Sequence, residues 1–246
     1  FDPQTHTDRG IGFDVFMPGF MRAAERAQKE LGLSCGWIMC FLRHLPEEDA
    51  LRTLEAVLPW RGHFIGVGLD SSERGNPPEK FTRVFARAAE LGLHRVAHAG
   101  EEGPPDYVRS ALDILGAERI DHGVRSIEDP ALMQRLAREQ VPLTVCPLSN
   151  VKLCVFPDLE RHNVAQLMDA GLCATVNSDD PAYFGGYVNE NYLQLLRAQP
   201  RLQAVHFYKM LQNSLQSSFA PPVDVACWQK ALEALWAPVL GGSPAH

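Results

Sequence analysis

The sequence predicts an α/β fold, a parallel (β/α)8 or TIM barrel, with about its first two strands lying outside this chain. Three observations predict it. Short apolar runs alternate with helical patterns along the chain, the signature of a parallel sheet with crossover helices. Titratable residues recur at the ends of successive runs, and such barrels place their active sites at the C-terminal strand ends. The length of 246 residues is close to the roughly 250 typical of one barrel domain.

The opening, Phe1-Asp2-Pro3-Gln4-Thr5-His6, reads as a strand end entering a loop, so the chain is expected to begin inside its fold. A helix follows over roughly Pro18–Leu31. Strands are read at Gly36–Phe41, Phe64–Leu69, Arg95–Ala99, Arg119–Asp121, Pro142–Cys146 and Cys173–Asn177. Between them, Phe81, Val84, Phe85 and Ala88 keep the i, i+3, i+4, i+7 spacing of an amphipathic helix. Val108, Ala111, Leu112 and Leu115 do the same. Gly92 and Gly116 serve as helix stops. Further helices are expected near Asn189–Ala198, Leu202–Gln212 and Trp228–Leu235. These elements make one domain over 1–246, with 221–246 as a C-terminal extension. Six strands against the eight of a closed barrel is why the first two are expected to lie upstream.

Composition narrows the function. A hydrophobic fraction of 46% and a charged fraction of 22% are ordinary for a globular protein. A net charge of −7 argues against nucleic acid or an anionic membrane as partner. No apolar run approaches the ~20 residues of a membrane span, and no signal peptide is visible. The six cysteines (35, 40, 146, 154, 173, 227) form no C-x-x-C pair and fall mostly in apolar strands. They are expected to be buried free thiols of a cytoplasmic protein.

The strand ends carry the chemistry. Asp179-Asp180 places two repelling carboxylates side by side after an apolar strand. A bound cation or substrate would explain them, and so would a solvated turn closed by Pro181; two further strand ends favour the first reading. His98 ends another strand, with Glu101 three residues on, and Asp121-His122 end a third. Metal-assisted hydrolysis needs ligands, an acid or base, and groups that hold the substrate. His98 and Asp179 are suitable ligands, Glu101 a suitable acid or base, His122 a second imidazole, and Asp180 a hydrogen-bonding partner for substrate. The H-x-E with P-C-x-x-C signature of cytidine-type deaminases is absent. So is a lysine on Phe64–Leu69, which a carboxylated-lysine dimetal site would require.

Together, His98-Ala99-Gly100-Glu101, Arg119-Ile120-Asp121-His122-Gly123, Ser178-Asp179-Asp180-Pro181, Cys146-Pro147-Leu148-Ser149-Asn150 and Asn213-Ser214 resemble the adenosine/adenine deaminase family. The match runs in order over most of the chain. It implies a metal-dependent hydrolase barrel with one Zn2+ per chain. His98 and Asp179 are then zinc ligands, Glu101 protonates the purine ring and His122 assists the attacking water. Asp180 hydrogen-bonds the purine. The implied reaction is deamination of adenine to hypoxanthine and ammonia in purine salvage.

The adenine branch is favoured by Asp121, where adenosine deaminases typically carry glycine, and by Val145–Phe156 and Asn177–Tyr187. A carboxylate there can accept the imidazole N–H of a free base while filling the space of a sugar. The competing reading is an ion pair from Asp121 to Arg119 or Arg125. The family's H-x-H zinc motif is absent from these residues and is expected upstream. Two alternatives stand: deamination of adenosine or another aminopurine, or a non-catalytic barrel remnant lacking two zinc ligands.

Other features are read as structural. Arg43-His44 and Asp70-Ser71-Ser72-Glu73 are expected to cap loops, Ser149-Asn150 to form a turn, and Gly185-Gly186 to mark a close approach or a lid. Cys146 and Cys154 are taken as inert, and His63, His94, His162 and His206 as peripheral.

Overall fold

All six predicted strands form, each within a residue or two of its expected bounds. The computed structural model describes residues 1–241, and these divide into two compact units.

The first unit holds residues 1–98 and 109–118. Its strands are β1 (Trp37–Leu42), β2 (Phe64–Asp70) and the start of β3 (His94–Ala99). β2 pairs in parallel with both of its neighbours. Parallel strands need crossovers, and the helices Glu47–Val57 and Thr82–Glu90 supply them. The predicted apolar stripe is the core: Phe81, Val84, Phe85 and Ala88 are all buried, with the Phe85 ring edge-on to Phe41. Gly92 stops its helix at a φ of +66°, a value that suits glycine. Gly68 serves a different purpose. A Cβ there would lie 2.5 Å from Cys40 Sγ, so the strand has room for hydrogen only. On the outer side of β1, the Phe1 backbone donates to Ile38 O and accepts from Cys40 N.

One helix differs from expectation. It runs over Phe13–Leu31, beginning five residues before Pro18, which lies inside it. Proline costs a helix one N–H and clashes with the preceding turn. Here Phe13, Phe16 and Phe20 line one face with Phe1 and Trp37, and that aromatic packing outweighs the defect.

The second unit holds 99–108 and the chain from Arg119 onward. Its strands are β4 (Arg119–His122), β5 (Pro142–Val145) and β6 (Cys173–Val176), again parallel in sequence order. Asp121 lies opposite Thr144. The helix Pro130–Glu139 starts on Asp129, whose carboxylate accepts from the N–H groups of Ala131 and Leu132. The helix Ala204–Gln216 lies on β6, tied by Asn213 Nδ2 donating to Ala174 O at 2.9 Å. Of the extension 221–246, Pro222–Gly241 is one helix, and residues 242–246 lie outside the described residues. No helix among the described residues is long and apolar enough to cross a membrane.

The cysteines depart from expectation. Among the described residues all six are free, but only Cys146 and Cys173 are buried; Cys35, Cys154 and Cys227 are exposed. Cys35 and Cys154 sit in loops, and Cys227 lies on the outer helix.

Candidate active site

The C-terminal ends of β4, β5 and β6 point the same way because the strands are parallel. His122 is the last residue of β4, Cys146 follows β5, and Asp179 follows β6 by three residues. Ligating atoms of His122, Cys146 and Asp179 all lie within 4.8 Å of one another. His122 Nε2 is 3.8 Å from Asp179 Oδ2. On its other side, His122 Nδ1 is 3.3 Å from Glu101 Oε1. Three of the predicted residues therefore meet in one buried cluster, with His122 2% and Glu101 8% exposed.

The backbone pays for this arrangement. His122 and Asp179 adopt φ values of +64° and +54°, in the left-handed region that side-chain-bearing residues avoid. Such outliers persist only where the surroundings impose them, and they concentrate at functional sites. Gly123 follows at +67°, where a Cβ would lie 2.8 Å from Leu143. Glu101 follows Gly100, whose φ is +73° and whose carbonyl accepts from Arg125 N, tying this segment to the stretch after β4.

Polar neighbours orient the reactive groups. Ser149 Oγ donates to Asp179 Oδ2 at 2.7 Å, and Asn150 Nδ2 donates to Glu101 Oε1 at 2.8 Å. Both lie in the helix Pro147–Lys152 and are fully buried, so the expected turn is a helix facing the site. Behind Asn150 stands His162, 3% exposed, whose Nε2 is 3.2 Å from Asn150 Oδ1. His162 is thus not peripheral. Burial pushes its pKa down to about 3, helped by nearby His122, so it is neutral. The Cys146 thiol lies at the cluster. Burial, then the charges of Asp179, Asp121 and Glu101, push its pKa well up, which keeps it a protonated, unreactive thiol as expected.

Asp121 is half-buried, and Thr144 Oγ1 donates to its Oδ1 at 2.6 Å. Arg119 donates to Ser217 O and stacks on Phe219, while Arg125 grips Glu128 and Glu102 O. Asp180 is exposed at the N-terminus of the short helix Pro181–Phe184.

His98 lies in the first unit, next to last in β3 and partly buried. The fully buried Arg43 donates to His98 O at 2.7 Å and to Asn76 O at 2.9 Å, a capping role as expected. Asp70, ending β2, was read as a loop cap. Burial, then a hydrogen bond with Asp2, hold its carboxyl well above the usual range.

The donor set suits a divalent metal. Within the second unit, Asp179 presents a carboxylate fixed by Ser149 beside the His122 imidazole, two of the ligand types zinc takes.

Parallel strands that gather imidazole and carboxylate at their C-terminal ends define an α/β fold with a candidate metal site at that end. Residues 1–226 match the adenosine deaminase family, a metal-dependent family, and the chain belongs to it. It is 62% identical over 233 residues to an adenine deaminase of Geotalea uraniireducens, covering 95% of this chain and 66% of that protein. The crystal structure of an adenine deaminase from Arthrobacter aurescens superposes with a TM-score of 0.93 at 45% identity, over 96% of this chain and 72% of that one. An amidohydrolase from Burkhoderia ambifaria, crystallised with bound zinc, shares the fold at a TM-score of 0.90 and 23% identity, over 98% and 68%. The chain spans about two thirds of the length of the curated relatives it matches. The fold is α/β and consistent with part of a barrel.

Proposed function

We propose that the protein carrying this chain deaminates adenine hydrolytically, giving hypoxanthine and ammonia, with one zinc ion per chain held in part by His98 and Asp179. The observation that carries the reading is the buried meeting of Glu101, His122 and Asp179 at adjoining strand ends. The high identity to proteins named adenine deaminase supports the choice of substrate.

When bound, zinc supplies a water acidic enough to act as a nucleophile near neutral pH. The chain's own residues do the rest. Glu101 gives a proton to a purine ring nitrogen, so that water adds at C6 and ammonia can leave. His122, beside the Asp179 carboxylate, orients the attacking water and takes up its proton. Asp180 hydrogen-bonds the ring. Asp121, positioned by the hydrogen bond from Thr144 to Oδ1, accepts the imidazole N–H that distinguishes a free base from a nucleoside. The substrate is thus a small purine, and the reaction belongs to purine salvage in the cytoplasm.

Metal removal tests the reading. Dialysis of the full-length protein against a chelator should abolish hypoxanthine formation, and zinc should restore it at about one ion per chain. Undiminished turnover after complete metal removal would refute it.

A further inference from the structure

The geometry points to Asn150 and His162 as positioning residues: His162 fixes which way the Asn150 amide faces, and so which oxygen of Glu101 carries the acid proton. The inference rests on the deaminase reading above.

The argument starts at a backbone group that can only donate. Val164 N–H lies 3.1 Å from His162 Nδ1, so Nδ1 accepts. A neutral imidazole then carries its proton on Nε2. That N–H points at an Asn150 atom 3.2 Å away, which must be the carbonyl oxygen Oδ1. The amide nitrogen is forced to the opposite side. Its two hydrogens have two takers there, Glu101 Oε1 at 2.8 Å and His122 Nδ1 at 3.2 Å. The reversed amide would set an oxygen against the Glu101 carboxylate and an NH2 against the His162 N–H. Both contacts would be repulsive, and the burial of Asn150 and His162 makes such a mismatch costly.

One consequence follows for the reacting acid. Glu101 Oε1 receives a donor, so the proton of the acid sits on Oε2.

The relay is held rigidly. His162 packs against Phe156, the ring centroids 4.4 Å apart and the planes tilted by 39°. Its carbonyl accepts from Gln199 Nε2 at 2.7 Å, and the next residue, Asn163, donates to Val124 O at 2.7 Å. Desolvation that keeps His162 neutral keeps the donor direction constant across physiological pH.

The test compares the full-length, zinc-loaded wild type with His162→Phe and His162→Gln. Phe keeps a ring but loses both hydrogen bonds; Gln can offer an N–H and an oxygen in the same directions. His162→Phe should lower kcat on adenine about tenfold to a hundredfold, the cost of a small misplacement of a reacting group. KM and zinc content should barely change, and His162→Gln should recover most of the loss. A folded His162→Phe enzyme with wild-type kcat would overturn the proposal. If that variant does not fold, proton–nitrogen correlation spectra of the wild-type imidazoles decide. They should show His162 as one neutral tautomer protonated on Nε2 from about pH 5 to 8. A proton on Nδ1 would overturn the proposal. An inactive wild type would count against the deaminase reading instead, and the tautomer would still decide the relay.

Discussion

Glu101, the proposed acid, is held by two neighbours: Asn150 donates to one oxygen, and His122 stands beside the same atom. Replacing it with glutamine keeps the shape and removes the transferable proton. Glu101→Gln should therefore cut kcat by about 10²–10⁴-fold, the usual contribution of a general acid. Zinc per chain should stay unchanged, and measuring both together separates lost chemistry from lost metal. Asp121 makes a separate claim. Asp121→Gly should lower kcat/KM for adenine and shift the ratio toward adenosine by about tenfold or more, since a mismatched buried polar group costs roughly 1–3 kcal/mol. An unchanged ratio would return Asp121 to a structural role.

His162 also carries a signature in stability. Its folded pKa, about 3, lies below the ordinary value, so the unfolded chain binds the extra proton between these two limits. Stability should then be full above about pH 6.5 and decline as pH falls toward 3. His162→Gln should flatten that decline in denaturant melts across the same range. Sequence reading found Glu101, His122 and Asp179 because each is titratable at the end of an apolar run. It missed His162, which lies in a loop with no periodic pattern, and its value depends on Asn150 arriving from another segment.

At the scale of elements, strands and helices were legible because burial enforces periodicity. The Phe81–Ala88 stripe was read correctly since every member points into the core. Helix ends were less legible: Phe13–Leu31 starts before a proline because tertiary aromatic contacts decide it. The helix Ala204–Gln216 outruns its apolar pattern, with Asn213 anchoring it to β6. Two substitutions rank the forces. Gly68→Val forces a side chain against Cys40 and Val96 inside the sheet and should cost about 1–3 kcal/mol or more. Asp129→Ala removes only a helix cap and should cost about 1 kcal/mol. Urea midpoints should fall further for the glycine variant; the reverse order would mean that the strand relaxes freely.

For the whole molecule, the parallel order of strands does the functional work. It brings groups distant in sequence to one end: Glu101, His122, Asn150 and Asp179 span nearly 80 positions. Charge and composition excluded partners without naming a substrate, and the motifs in order along the chain named the family. What sequence motifs left open was adenine against adenosine, because that choice lies in how a few side chains fill one pocket. The most direct test is kcat/KM of the zinc-loaded, full-length protein on adenine and on adenosine, followed by ammonia release. The account predicts efficient conversion of adenine to hypoxanthine, with adenosine at least about a hundredfold poorer. Comparable or better turnover of adenosine, or release of ammonia from neither, would contradict it.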